Sequence, residues 1–211
     1  MGRREPFGKI HQPTLVDRFG VWLSARRIFS YVGDPKGKRI GDFGCGYHAP
    51  IGRFFIEDAD HVVLSDLELS AAMKAHPKVT AVEGRLPEAL SDLPDACLDV
   101  VICNSVLEHL GAPLDTLKVL RRLLAPGGLA LINVPSWRGK WFLEFAAFKL
   151  KVSTLEEMDD HKAYYDPRDL WPMLVEAGFK PSKIRCFRHK FGLNTFAVCR
   201  LGPDDGAAPE P

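Results

Sequence analysis

Short apolar runs of strand character alternate with helical segments along most of this chain, and that alternation restricts it to an α/β layer structure. Residues 39–43, 61–65, 79–82, 98–103 and 129–134 read as strands. Between them, 50–56, 69–75 and 114–124 read as helices, the last stopped by Pro126-Gly127-Gly128. Parallel neighbours need a long crossover that a helix supplies, so the pattern predicts a parallel sheet with helices on both faces. Leu98-Asp99-Val100-Val101-Ile102-Cys103 is almost continuously apolar, as a strand buried on both faces requires. After Val134 the pattern changes. Residues 167–177 form one more helix, with Pro167 suited to its first turn and Gly178 to its C-terminal cap. The runs 184–188 and 195–201 flank a short turn at 190–194, so the domain should end in an antiparallel hairpin.

Ahead of the first strand, apolar residues from Leu15 to Val32 recur at helical spacing, with Arg18, Arg26 and Arg27 left for solvent. The organisation expected is an N-terminal helical segment over 1–35, a main domain over 36–201 and a disordered tail over 202–211. Within the main domain, 136–166 interrupts the alternation as an insertion. Its aromatic and basic residues, Trp137, Trp141, Lys149 and Lys151 among them, suit a mobile cap, a packed helix or a membrane-surface contact. A length of 211 residues is enough to bury one core without disulfides or metal. The formal net charge of +1 gives no global field to steer nucleic acid. Five scattered cysteines without a C-x-x-C pair point to free thiols, no metal site and a reducing cytoplasm. No run approaches the roughly 20 apolar residues that span a bilayer.

Function concentrates at the end of the first strand, in Asp42-Phe43-Gly44-Cys45-Gly46. Glycines there let the backbone turn sharply and approach a ligand. Asp66 ends the second strand, where an acid can hydrogen-bond both hydroxyls of a ribose. Asp42 lies directly under the turn. A dinucleotide would bring its pyrophosphate to that spot and be repelled, whereas a ligand with an ammonium and a sulfonium would be attracted. The third glycine of the dinucleotide fingerprint is also absent, with Ala49 in its place.

The stretch 42–46 resembles motif I of the class I, S-adenosylmethionine-dependent methyltransferases. Leu98 to Leu110 is similar to their fourth-strand motif, and Leu123-Leu124-Ala125-Pro126-Gly127-Gly128-Leu129 to the turn before their fifth strand. The resemblance resumes at Asp166 to Phe179, a late helix of the small-molecule group. It implies a Rossmann-like, seven-stranded, mostly parallel sheet with an antiparallel last strand. It also implies that Asp42, Gly44, Cys45 and Gly46 surround the methionine part of S-adenosylmethionine, with Asp66 and Leu67 at the ribose. Asn104 would offer its carbonyl or side chain near the cofactor's amino group. Many relatives carry Gly-Asp after the third strand, but here Arg85 follows Gly84. Adenine recognition would then fall to the backbone near Arg85 and Leu86, or to Glu83.

Methyl transfer from a sulfonium is an in-line displacement, accelerated mainly by positioning. A base is required only for a protonated acceptor such as a hydroxyl. Two histidines are candidates. His109 follows the fourth strand, where it could equally cap a short helix beside Glu108. His161 stands among Asp159, Asp160 and Tyr164-Tyr165, where the other reading is a surface loop. Asn104-Ser105-Val106 departs from the Asn/Asp-Pro-Pro-aromatic motif of base and glutamine amine methylation, and no Pro-Cys nucleophile suggests cytosine C5 chemistry. A small-molecule hydroxyl, amine or carbon remains as acceptor. An NAD(P)-dependent oxidoreductase and a non-catalytic methyltransferase-like module are the alternatives.

Overall fold

The computed structural model describes residues 5–9, 13–140 and 163–205. Helix α1 (Leu15–Val32) opens with a capping box, in which the Thr14 hydroxyl accepts from Asp17 N and the Asp17 carboxylate accepts from Thr14 N. Strands β1 (Arg39–Phe43), β2 (His61–Asp66), β3 (Val79–Glu83), β4 (Leu98–Asn104) and β5 (Leu124–Pro135) follow. The one-turn helix α2 (Ala71–Lys74) lies between β2 and β3, and α3 (Pro113–Leu123) between β4 and β5. Helix α4 (Pro167–Glu176) then leads to β6 (Ile184–His189) and β7 (Asn194–Arg200).

The seven strands form one sheet in the order β3-β2-β1-β4-β5-β7-β6. The first five are parallel, and β7 runs antiparallel to both β5 and β6, as the sequence implies. Helices cover both faces. On one, Leu117, Leu120 and Leu123 of α3 and Leu170 and Leu174 of α4 pack on Phe43, Val101 and Ile132. On the other, Ala25, Ile28 and Val32 of α1 pack on Ile40, Val62 and Ile102. Burial of each such leucine, isoleucine, valine or phenylalanine contributes about 1.5–3 kcal/mol.

Three elements differ from the sequence reading. The helix expected over 50–56 is a short 3-10 segment, Gly52–Phe55. The helix expected over 69–75 shrinks to α2, because Glu83 Oε1 accepts from Leu69 N and holds that residue out of the helix. β5 begins at Leu124, ahead of the Pro-Gly-Gly turn signal. Leu124 pairs with Leu98 before a bulge shifts the register to Val100 and Leu129, and Gly128 O accepts from Leu201 N.

The insertion over 136–166 falls largely outside the described residues. Its two ends meet at the C-terminal end of β5. Tyr165 N donates to Pro135 O at 2.9 Å, and the rings of Trp137 and Tyr164 are 5.7 Å apart. Among the described residues, no helix is long and apolar enough to cross a membrane.

Candidate active site

Strand β1 is flanked by β2 and β4, so the turn that follows it emerges in the middle of the sheet's C-terminal edge. There the strand order reverses direction, the place where open α/β sheets leave a crevice. Gly44 N and Cys45 N both donate to Ser65 O, at 2.7 and 3.1 Å. Gly44 has φ 73°, and a Cβ on it would lie 2.2 Å from Val106 Cγ2, so the loop after β4 closes directly on the turn. Gly46 has φ 79°, and a Cβ there would meet the Phe7 carbonyl at 3.2 Å. Residues 5–9 thus pass over the turn as a strap, held by Tyr47 N donating to Phe7 O at 3.0 Å and by the Lys9–Glu68 ion pair at 2.5 Å. Ala49, which replaces the third glycine, keeps a left-handed φ of 43° and is fully buried.

The two acids take different places. Asp66, at the end of β2, is half-buried; its Oδ2 accepts from Gly46 N and its Oδ1 from Leu67 N, each at 2.7 Å. That carboxylate is tied to the turn and stands at the crevice. Asp42 is only 2% exposed, and its Oδ2 accepts from Gly52 N at 2.9 Å. It lies behind the turn and braces the start of the 3-10 segment, which makes it a positioning residue for the turn. Burial pushes its carboxyl up to about 7; the Gly52 amide opposes that shift and the neighbouring Asp66 adds to it. Two carboxylates in one another's field, beside a turn whose glycines admit close approach, suit a cationic ligand and disfavour a pyrophosphate. The residues present therefore fit a sulfonium nucleoside.

The remaining cofactor candidates line the same edge with unequal reach. Cys45 is buried with its Sγ 3.5 Å from Gly46 O, and burial plus the two acids hold its thiol far above the ordinary range. Leu67 is half-buried beside Asp66. Gly84 N donates to Asp66 O at 3.0 Å, which brings the loop of Arg85 and Leu86 beside the end of β2. Arg85 is exposed there, while Leu86 packs partly into the core. Glu83 is committed to Leu69 N and Lys74 Nζ. Asn104 Oδ1 accepts from Asn133 Nδ2 at 3.1 Å, so its side-chain oxygen already has a protein partner.

A second group gathers past the ends of β4 and β5. His109 ends a 3-10 turn, Leu107–His109, with Nε2 4.0 Å from Glu108 Oε1, and Glu108 is 1% exposed. Ala163 N donates to Glu108 O at 3.3 Å, which anchors the chain two residues after His161. His161 itself lies outside the described residues. Tyr164 and Tyr165 are buried against this edge, and burial followed by the nearby Glu108 pushes the Tyr165 hydroxyl up. The sequence reading missed Lys190. It sits at the β6–β7 turn with φ 48°, and burial lowers its ammonium to about 8, opposed by the field of Glu108. A lysine in a hairpin turn reads as solvated. Only the antiparallel return of β7 to β5 brings it to this edge, so no local signal could have found it.

Comparison with known proteins agrees with this geometry. A family model described as a methyltransferase domain matches residues 17–183. The chain is 30% identical over 152 residues to a ubiquinone biosynthesis O-methyltransferase of Aeromonas salmonicida, covering 67% of this chain and 63% of that protein. A methyltransferase of Archaeoglobus fulgidus dependent on S-adenosylmethionine superposes with a TM-score of 0.64 at 16% identity, over 85% of this chain and 94% of that one. The 1,6-didemethyltoxoflavin-N1-methyltransferase of Burkholderia thailandensis, solved with S-adenosylhomocysteine, gives 0.61 at 18% identity, over 89% and 80%.

Proposed function

Because the chain belongs to the methyltransferase-domain family, we propose that it transfers the methyl group of S-adenosylmethionine to a small-molecule acceptor, with a hydroxyl favoured over an amine or carbon. The paired carboxylates Asp42 and Asp66 around the Gly44–Gly46 turn carry this reading. The hydroxyl preference draws on the O-methyltransferase named among the relatives. S-adenosylmethionine, bound at the turn, supplies an electrophilic methyl on a sulfonium.

The protein's own work is placement and proton handling. Asp66 holds the nucleoside while its bond to Gly46 N keeps the turn open. Asp42 fixes the 3-10 segment that backs the turn, and a cation bound above it favours its ionised form. His161 or His109 takes the proton of a hydroxyl acceptor at the neighbouring edge, where Tyr164 and Tyr165 exclude water. Positioning of this kind supplies most of the acceleration in a displacement of this type.

Isothermal calorimetry tests the cofactor assignment. S-adenosylhomocysteine should bind and NAD should not compete with it; displacement by NAD would turn the assignment toward a dehydrogenase. Asp66→Ala should weaken S-adenosylhomocysteine binding by about 10- to 150-fold, the worth of a hydrogen bond to a charged group. Asp66→Asn, which keeps an acceptor for Gly46 N, separates loss of the ligand contact from loss of the turn. Labelled cofactor incubated with a metabolite extract, followed by mass spectrometry, identifies the acceptor.

A further inference from the structure

A groove of about 690 Å³ lies between α1 and the 3-10 segment, and Phe7, His48 and Pro50 close its end beside the Gly46 turn. Its α1 wall is one helical face: Arg18, Val21, Trp22, Ala25, Arg26 and Phe29, at the three- and four-residue spacing that puts side chains on one side. Arg53 and Phe54 form the opposite wall. The groove is aromatic and exposed, with Trp22 51% and Phe54 57% open to solvent. Aromatic surface of that kind is costly to leave in water.

Charge narrows the ligand. Arg18, Arg26 and Arg53 all line the groove, and among the described residues none of them pairs with a carboxylate. Among the described residues, no acidic side chain lines it. Arg26 lies over the Trp22 ring at 5.8 Å and Arg53 over the Phe54 ring at 5.2 Å, within cation–π range of the aromatic faces. Guanidinium forks so placed match a carboxylate, sulfonate or phosphate, and the rings supply a flat apolar bed. The volume suits one small molecule. This polarity is opposite to that of the crevice at Asp42 and Asp66, so the two places select ligands of opposite charge.

We propose that the groove is a second binding site, for a small aromatic anion. Phe7 contributes to its wall while its carbonyl accepts from Tyr47 N, so the strap over the cofactor turn also walls the groove. The proposal does not rest on the methyl-transfer reading.

The probe is 1-anilinonaphthalene-8-sulfonate, titrated by fluorescence with saturating S-adenosylhomocysteine present. The wild type should bind one equivalent saturably, and Arg26→Ala/Arg53→Ala should bind it about tenfold more weakly. The uncharged analogue N-phenyl-1-naphthylamine should bind less tightly and be indifferent to the arginine substitutions. S-adenosylhomocysteine affinity, measured separately by calorimetry, should be the same in both proteins, which shows that the variant is folded. Equal sulfonate binding by wild type and variant, or equal binding of the two dyes, overturns the proposal. So does arginine-dependent binding to phosphatidylglycerol vesicles without saturable binding of the free dye, which would assign the face to a membrane surface. Failure of S-adenosylhomocysteine to bind tells against the methyl-transfer reading alone; circular dichroism then shows that the variant is folded, and the dye comparison stands.

Discussion

His161→Ala is expected to lower turnover of a hydroxyl acceptor by about 10²- to 10⁴-fold while leaving S-adenosylhomocysteine affinity unchanged. The expectation begins with proton inventory. A hydroxyl must lose its proton as the methyl arrives, and histidine is the side chain whose ordinary pKa makes it a competent base near neutrality. His161 has acids beside it in sequence, at Asp159 and Asp160, and the chain immediately after it is bonded to Glu108 through Ala163. His109→Ala serves as the comparison. That imidazole adjoins Glu108 at 4.0 Å in a half-buried 3-10 turn, so its loss should register mainly as lower stability. Single-turnover rates with the acceptor identified from extract, measured from acid to alkaline pH, separate the two. A full loss in His109→Ala and none in His161→Ala would move the base to His109. No loss in either would mean that the acceptor needs no protein base.

The second large effect is on stability rather than rate, and Asp42 produces it. Its folded carboxyl titrates at about 7, against about 3.9 in an unfolded chain. Between those values the folded state holds a proton that the unfolded state has released. Stability therefore falls as pH rises from about 4 to about 7, and levels off once both states are ionised. The loss amounts to about 4 kcal/mol across that window. Asp42→Asn cannot ionise, and its amide oxygen can still accept from Gly52 N. Urea denaturation at pH 5 and pH 8 should show the wild type losing about 3 kcal/mol relative to Asp42→Asn, the part of that loss that lies above pH 5. Parallel pH profiles for the two proteins would mean that Asp42 titrates normally, and that the 3-10 segment does not bury it as described.

Much of this fold could be read from residues in order. Strand runs such as Leu98–Asn104 are apolar because both faces of β4 are covered, so the local pattern carries the tertiary fact. The β6–β7 hairpin was legible for the same reason, from two strand runs and a short turn. The cofactor turn was legible too, since the backbone at Gly44 and Gly46 needs positive φ and few residues other than glycine tolerate it. The helical period of α1 was equally plain, but not which side of it packs. Its core contacts are Ser24, Ala25, Ile28 and Val32, and Leu15 is left 80% exposed. Periodicity gives a helix its faces, while only the position of the sheet beneath decides which of them is covered.

The sequence by itself determined the layer order, the parallel sheet with its antiparallel close, and the glycine turn with Asp66 beside it. These follow from local rules: side-chain period, turn stereochemistry, and the need of parallel strands for helical crossovers. Tertiary structure alone decided that Asp42 is sealed behind the turn, where burial raises its carboxyl, and that Asn104 spends its side-chain oxygen on Asn133. It alone set Lys190 in the field of Glu108 and laid residues 5–9 across Gly46. Each of these is a meeting of residues far apart in the chain. Their chemistry comes from desolvation and from charges brought near by packing, and neither quantity is written in the neighbours along the sequence.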